Sequence, residues 1–411
     1  MLLDAHMGYY VKKIVGESMK KVQQWIRNNH QRIAGIYHHL NNHPEVSWQE
    51  EKTKDFILQE GRKLRFEIDT FEHHHGVVLK WKGEEPGRTV ALRADMDALW
   101  QNVNGEWKAN HSCGHDAHMT MALAAAFCLK EIGFKPLKGN VKFVFQPAEE
   151  TGKGALTLLK DNVMDDVDYL LGIHVRPKIE MAMSQASPAI YHGAAALFKG
   201  TIKGVQAHGS RPNYGINVID ALGAIIHAVN AIKVDPTIPS SVKVTQVQAG
   251  GSNINVIPDE AEFSIDVRSQ TNEAMEELIP KVKTAVLFAG KANGSEVNLE
   301  MNAQMAAANK NKETEAIVSS AITEILGHDG LVLPPVTPGG EDFHFYTTEN
   351  PQIKATMIGL GTDLEPGLHH PHMTFNQEAL KNGTAILALS IIRLFEHAEK
   401  HASRMQEMDR T

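Results

Sequence analysis

The sequence has few cysteines, no long apolar run and no excess of basic residues. Its two cysteines, Cys113 and Cys128, are too few for a disulfide framework in a chain of 411 residues, which predicts a cytoplasmic protein. No apolar stretch is long enough to span a membrane, and residues 1–13 lack the apolar core of a signal peptide. Lysine and arginine number 41 against 49 acidic residues, so we expect neither nucleic acid nor a membrane among its partners.

The chain also lacks repeats and a Gly-x-Gly-x-x-Gly motif after a strand, which disfavours a nucleotide or redox cofactor. Its length favours two domains. Strand-like and helix-like segments alternate through residues 77–174, as in a parallel-rich sheet covered by helices. From about residue 193 the order becomes strand, helix, strand, strand, helix, strand, which is typical of a ferredoxin-like unit. We predict an α/β domain of residues 1–192 and 303–411, with an inserted ferredoxin-like (βαββαβ) domain of residues 193–302.

A dense group of polar residues, Ser112–His118, lies directly before an apolar helical segment. It contains the thiol of Cys113 and the imidazole of His115, separated by a glycine that permits a tight turn. Thiolate and imidazole ligands suit zinc, cobalt or manganese. A buried free cysteine near a helix N-terminus is the alternative, and this short group alone does not decide between the two.

Acidic residues and a histidine follow the predicted strands of the first domain. They are Asp95, Asp97, Glu149, Glu150 and His174. Ligands of parallel sheets bind at the carboxyl ends of the strands, so this convergence favours a metal site that includes Cys113 and His115. Adjacent carboxylates such as Glu149 and Glu150 repel each other unless cations hold them, one as a ligand and the other as a base. A solvated turn is the alternative for this pair.

Other polar segments are less specific. Leu368–His372 supplies three imidazoles, of which only one need be a ligand. Glu72–His75 lies between two strand-like runs, where a solvated loop is favoured over a metal site. Glu341 and Asp342 either orient metal-bound histidines or begin a capped helix. Ser47–Glu50 matches a capping box and predicts a helix start.

Six segments carry a joint pattern: Arg93–Leu99, Ser112–Asp116, Gln146–Glu150, Gly172–His174, Gly250–Pro258 and Glu341–Phe343. Together they resemble the aminoacylase/carboxypeptidase-G type metallopeptidase family. Its amidohydrolase branch, with hippurate hydrolases and auxin-conjugate hydrolases, fits best, and the AmhX-type bacterial members look most similar. The similarity covers residues 30–400. It implies two divalent metal ions per subunit and a lid domain, residues 193–302, through which the protein forms a homodimer.

The resemblance also implies roles for individual residues. Glu149 would be the general base, Asp97 would orient a ligand, and His208 of the lid would reach the active site of the partner subunit. The implied metal ligands are Cys113, His115, Glu150, His174 and His369. Two positions depart from the family pattern: Asn41 stands where histidine is common, and Trp100, where proline is common, would reshape the pocket.

Two lid residues are candidates for binding the α-carboxylate of a substrate. Arg268 ends a predicted strand and offers a planar fork that suits a carboxylate. Asn255 lies in a glycine-flanked turn from which its amide would reach the same group or the scissile oxygen. For Arg268, a surface ion pair with an acid of the lid is the alternative.

These observations predict a metal-dependent amidohydrolase that cleaves the amide bond of N-acyl amino acids. A dipeptidase or carboxypeptidase that uses the same site is the alternative among enzymes. A vestigial metal-binding scaffold is the alternative from another class, and it would predict loss of the base, whereas Glu149 is present. The expected partners are an N-acyl amino acid or dipeptide and a second copy of the chain.

Overall fold

A computed structural model describes residues 17–136 and 138–408, with side chains up to residue 398. The segment 1–13, from which the sequence predicts no signal peptide, lies outside the described residues. The chain divides into two compact units, and the predicted lid of residues 193–302 lies within the second. The first unit is Met1–Ile190, Asn309–Pro335 and Phe345–Thr411, and the second is Tyr191–Ala308 and Val336–His344.

Helices and strands are numbered here in chain order. The helices are α1 (17–28), α2 (His30–Asn42), α3 (Glu51–Leu64), α4 (His115–Glu131), α5 (Gly154–Lys160), α6 (Val218–Asn230), α7 (Asn272–Ala292), α8 (Lys312–Leu326), α9 (Phe345–Glu349) and α10 (Ala379–Met408). The strands are β1 (Glu67–Thr70), β2 (Val77–Lys82), β3 (Glu85–Asp95), β4 (Leu99–Val103), β5 (Glu106–Asn110), β6 (Lys138–Gln146), β7 (Tyr169–Pro177), β8 (Ala186–Ser187), β9 (Tyr191–His192), β10 (Ala194–Lys203), β11 (Ala207–His208), β12 (Ser240–Ala249), β13 (Val256–Ile257), β14 (Glu260–Ser269), β15 (Glu296–Met305), β16 (Val336–Thr337) and β17 (Lys354–Leu364).

The first unit is built around a mixed sheet in the order β1-β2-β6-β3-β7-β17-β8. The central strands β6, β3, β7 and β17 run parallel to one another, and antiparallel pairs flank them on both sides. Successive residues of the central strands are buried, as in sheets that are covered on both faces. The predicted parallel-rich α/β fold is confirmed.

Helix α4 is enclosed by the first unit. Its residues from His115 to Leu129 are all buried, and α2 and α10 pack against it. The approach of α10 is close, because a Cβ on Gly383 would lie 2.1 Å from Sδ of Met121. Tertiary packing therefore fixes the position of α4 and, with it, the position of its first residue, His115.

Two local predictions for this unit are wrong. His174 does not end its strand but lies inside β7, because parallel pairing with β17 continues past the Gly359–His174 pair. Helix α3 begins at Glu51, later than a cap at Ser47 predicts, and Ser47 does not cap it: its hydroxyl donates to Oδ2 of Asp97 at 2.6 Å. The N–H groups of Lys52 and Thr53 in the first turn of α3 donate instead to the carboxylate of Glu45, at 3.1 and 2.9 Å.

The second unit is a four-stranded antiparallel sheet in the order β12-β14-β10-β15. This is the strand order of a ferredoxin-like βαββαβ unit, with α6 after β10 and α7 after β14. Buried side chains of both helices and of β10 and β14 form a core of their own. Within the described part of the chain, no helix combines the length and apolar character needed to cross a membrane.

Candidate metal centre

The thiol of Cys113 lies where three segments of the first unit meet. Its Sγ is 3.6 Å from Nε2 of His174 on β7 and 3.3 Å from Nε2 of His369 in the loop after β17. Gly114 has a φ of +86°, and a Cβ there would lie 2.5 Å from Cγ2 of Val175. Only glycine fits this position, and the turn at Gly114 connects Cys113 to the start of α4 at His115.

Hydrogen bonds decide which histidine nitrogens can face a metal. Nδ1–H of His174 donates to the carbonyl oxygen of Val175 at 2.7 Å, so the Nε2 lone pair faces Cys113. Burial lowers the pKa of His174 well below its usual value, which keeps the ring neutral, as a ligand must be. His118 uses both nitrogens, because Nδ1–H donates to Oδ1 of Asp95 at 2.7 Å and Nε2 accepts the N–H of Val175 at 3.1 Å.

The carboxylate of Asp97 organises the turn that carries the adjacent glutamates. Its Oδ1 accepts the N–H of Glu149 at 3.1 Å and faces Nδ1 of His115 at 3.2 Å. Its Oδ2 accepts the N–H of Glu150 at 3.1 Å and the hydroxyl of Ser47 at 2.6 Å. With both oxygens occupied in this way, Asp97 is suited to orient its neighbours. Its role in catalysis stays a prediction.

Two buried polar atoms point into the space between these residues without a hydrogen bond. They are Nε2 of His115 and Oε1 of Glu150, which lie 3.9 Å apart. Nε2 of His369 lies 3.4 Å from the same glutamate oxygen, and Oε2 of Glu149 lies 3.9 Å from Nε2 of His115. Leaving a buried polar atom unsatisfied costs about 1–3 kcal/mol, so this arrangement suits a bound cation.

The charges of the centre favour the same conclusion. Burial raises the pKa of Glu150 to about 7, and burial together with Glu150 raises the pKa of the Cys113 thiol well above its usual value. Burial would lower the pKa of His115, but Asp95, Cys113 and Asp97 outweigh it and raise that pKa. Glu150 and Cys113 thus favour their protonated forms, and His115 favours its positively charged form. The centre lacks positive charge, which divalent cations would supply.

The donor atoms form two sets that share the thiol. Cys113, His115 and His174 form one set, and Cys113, Glu150 and His369 form the other, with all donor atoms of each set within 4.8 Å of one another. Atoms that are 3.3 to 3.9 Å apart fit around an ion that lies about 2.0–2.3 Å from each. The first unit therefore supports two divalent metal ions.

The loop Glu72–His75 is solvated only in part: Glu72 and His73 are exposed, as the sequence predicts, but His74 is not. The side chain of His74 is buried, and its Nε2–H donates to Oδ2 of Asp161 at 2.8 Å. Nδ1 of His74 accepts the N–H of Gly76 at 3.0 Å, so Nε2 must carry the proton. A metal ion would have to displace that proton, and this group therefore fastens the loop rather than binding an ion.

In the second unit, two candidate residues far apart in sequence are brought together. β11 pairs with β13, with His208 opposite Val256, and the N–H of Gly209 donates to the carbonyl oxygen of Asn255 at 2.7 Å. Nδ1 of His208 accepts the N–H of Ser210 at 3.1 Å, so Nε2 carries the proton when the ring is neutral. His208 and Asn255 are both exposed.

Arg268 makes the contact that the sequence leaves as an alternative. Its Nε and Nη2 donate to the carboxylate of Asp266 at 2.7 and 3.0 Å, and Nη1 donates to the carbonyl oxygen of Pro338 at 3.5 Å. The ion pair accounts for two of its donors, and binding of a substrate by Arg268 stays a prediction.

Oε1 of Glu341 accepts the N–H of Phe343 at 3.1 Å, as in a capped helix start.

The two departures from the family pattern have different surroundings. Nδ2 of Asn41 donates to Oδ2 of Asp116 at 2.7 Å and so supports the first turn of α4. Trp100 lies on β4 with 59% of its surface exposed.

The hairpin of β4 and β5 was not predicted, although Asn104-Gly105 is a strong signal for a two-residue hairpin turn. The hairpin carries Gln101, whose side chain contacts the loop of His369.

Comparison with known proteins agrees with a two-domain metal-dependent hydrolase. The sequence profile described as Peptidase family M20/M25/M40 matches residues 91–393. The chain belongs to this family. It is 30% identical over 362 residues to an N-acetylcysteine deacetylase of Bacillus subtilis, covering 85% of this chain and 93% of that protein. It is 29% identical over 388 residues to the IAA-amino acid hydrolase ILR1-like 2 of Arabidopsis thaliana, covering 90% and 86%.

Solved structures show the same likeness. The YXEP protein of Bacillus subtilis, described as a dinuclear metal-binding peptidase of the M20 family, superposes with a TM-score of 0.75 at 27% identity. The match covers 90% of this chain and 99% of that one. An aminohydrolase of methicillin-resistant Staphylococcus aureus, itself assigned only provisionally, reaches a TM-score of 0.82 at 26% identity, covering 92% and 99%.

Proposed function

We propose that this hydrolase cleaves the amide bond between an acyl group and an amino acid. The observation that carries the proposal is the turn after β6, where Asp97 binds the backbone N–H groups of both Glu149 and Glu150. The turn directs two adjacent carboxylates into one buried centre, as an enzyme with a separate base and ligand requires. The names of the relatives, a deacetylase of N-acetylcysteine and a hydrolase of auxin-amino acid conjugates, support an N-acyl amino acid as substrate.

The ligands in this proposal are Cys113, His115, Glu150, His174 and His369. Zinc, cobalt and manganese fit a set that combines one thiolate with imidazoles and a carboxylate. When bound, two such ions polarise the scissile carbonyl and activate water near neutral pH. Glu149 accepts a proton from the attacking water and passes it to the leaving amine. Asp97 keeps Glu149 in position through its bond to the backbone N–H.

The second unit contributes recognition in this proposal. Nε2–H of His208 would donate to the carbonyl oxygen as negative charge develops there, in the active site of a partner subunit. The amide of Asn255 and the guanidinium of Arg268 would bind the free carboxylate of the substrate. Arg268 already has Asp266 as a partner, so it would share its planar fork between two carboxylates.

A homodimer through the second unit completes the proposal. β12 is an edge strand of the four-stranded sheet and most of its residues are exposed, so a second copy would cover an unpaired edge. We place the enzyme in the cytoplasm, because neither Cys113 nor Cys128 forms a disulfide and both are buried.

A substrate panel tests the proposed activity. The metal-free protein, reloaded with zinc, cobalt or manganese, is given N-acetyl, N-benzoyl and N-indoleacetyl amino acids, with dipeptides of the same C-terminal residues as the matched set. Faster turnover of the N-acyl amino acids supports the proposal. Preference for the dipeptides would establish the peptidase alternative, and no hydrolysis of either set despite two bound ions would favour a scaffold.

A further inference from the structure

We infer that Gln101 is a positioning residue for His369, and that it determines how tightly the second metal ion is held. This inference rests on the proposed metal centre. His369 differs from the other histidine ligands because its side chain is 53% exposed, whereas His115 and His174 are buried. Packing therefore does not hold His369 in place, and its loop must do so.

The backbone of His369 is strained and is held from both sides. Its φ is +62°, a conformation that is unfavourable for a residue other than glycine and persists only where other contacts enforce it. Its N–H donates to the carbonyl oxygen of Ser112 at 2.8 Å. Its carbonyl oxygen accepts Nε2–H of Gln101 at 2.8 Å. These two bonds fix the orientation from which the imidazole projects.

The amide of Gln101 can adopt only one orientation. Its Oε1 accepts the hydroxyl of Ser112 at 2.8 Å and Nδ2–H of Asn110 at 3.0 Å, so Nε2 must face His369. Asn110 also donates to the carbonyl oxygen of Pro371 at 3.1 Å. A single side chain thus joins the β4–β5 hairpin, the segment before Cys113 and the loop of His369.

This arrangement affects the two donor sets differently. Nε2 of His369 lies 3.3 Å from Sγ of Cys113 and 3.4 Å from Oε1 of Glu150, in the set that depends on the loop. The set of Cys113, His115 and His174 contains no residue of that loop. Removing the Gln101 amide should therefore reduce the affinity for one ion by about 10- to 100-fold, as loss of a residue that orients a metal ligand does. The affinity for the other ion should be nearly unchanged.

Three variants of the full chain separate this role from a general effect on the hairpin. Gln101→Met keeps the length of the side chain but removes its donor and acceptor. Gln101→Glu keeps the acceptor and places a carboxylate oxygen against the carbonyl oxygen of His369. Lys108→Met is the matched control, because Lys108 lies opposite Gln101 in the hairpin and is exposed.

The measurement is a stepwise titration of the metal-free proteins with zinc by calorimetry, with bound zinc counted by elemental analysis and the thermal midpoint recorded. Both Gln101 variants should lose affinity for one of two ions, while Lys108→Met binds both as the unmodified chain does. In a His369→Ala background, Gln101→Met should cause no additional loss, because its effect passes through His369.

Two results would overturn the inference alone. One is full affinity for both ions in Gln101→Met while His369→Ala loses one. The other is a loss in the double variant that equals the sum of the single losses, which indicates a structural effect of the hairpin. If His369→Ala itself binds both ions like the unmodified chain, the ligand assignment fails and the inference fails with it.

Discussion

The metal centre of the first unit and the His208 group of the second unit use polar residues in opposite ways. His115 and His174 are 0% and 4% exposed, and hydrogen bonds to Asp97 and Val175 assign their nitrogens. His208 and Asn255 are exposed; the pairing of β11 with β13 brings them together, and the N–H of Ser210 orients the ring of His208. Electrostatic interactions between buried groups are stronger because water is excluded, whereas exposed groups remain accessible to a ligand. The comparison predicts that metal binding and proton transfer depend on the first group, and that contacts to the substrate and its developing charge depend on the second.

The strongest test of this comparison is removal of the metal ions. Chelation should reduce amide hydrolysis to the background rate, because nothing else in the centre would polarise the carbonyl and activate water. Adding zinc, cobalt or manganese should restore the rate, measured by release of the amino acid. The thermal midpoint of the metal-free protein shows whether it remains folded. Full activity in a preparation verified by elemental analysis as metal-free would refute the metal centre.

The next test separates the two adjacent glutamates. Glu149→Gln should slow hydrolysis by about 10²- to 10⁴-fold, as loss of a general base does, and should keep both ions. Glu150→Gln is the matched variant, with the same chemical change one residue away, and it should lose bound metal. Rates and metal content are measured on the same preparations. An active Glu149→Gln variant, or one that lacks metal, would show that the two roles are wrongly assigned.

A third test examines whether the exposed group acts across subunits. His208→Ala should reduce turnover by about 10²- to 10³-fold, because it removes a donor to the developing oxyanion. Mixing it with Glu149→Gln should restore about a quarter of the unmodified rate after full exchange, since half of the dimers would have one intact site.

The control for this experiment is His227→Ala, which removes an exposed histidine of α6 and should leave the rate unchanged. Subunit exchange is verified with differently tagged chains. If exchange is complete and no activity returns, His208 does not contribute to the partner's site.

The smallest expected effect concerns Arg268. An N-acyl amino acid should be cleaved about 10- to 150-fold faster than its C-terminal amide, the range for one hydrogen bond to a charged group, about 1.5–3 kcal/mol. Arg268→Ala should abolish this preference, measured as the ratio of kcat/KM values, without changing metal content. Asp266→Asn keeps the guanidinium and should keep the preference. Equal turnover of acid and amide by the unmodified enzyme would exclude Arg268 from substrate binding.

The sequence predicted the elements of both units well because their periodic apolar patterns are local signals. The strand, helix, strand, strand, helix, strand order from residue 193 corresponds to β10, α6, β12, β14, α7 and β15. Ends of elements were less predictable. The sequence predicts that His174 ends a strand, but pairing with β17 extends β7 beyond it. The sequence also predicts a helix cap at Ser47, but the hydroxyl of Ser47 donates to the distant carboxylate of Asp97.

The sequence alone also predicts the chemistry of the centre, because a thiol, imidazoles and paired carboxylates in these motifs limit the metals and the reaction. Tertiary structure decided which of these groups act together. Only folding shows that His118 has both nitrogens occupied, that His74 is fastened to Asp161, and that Gln101 holds the strained backbone of His369. These assignments depend on hydrogen bonds between residues far apart in the chain, and no local pattern encodes such bonds.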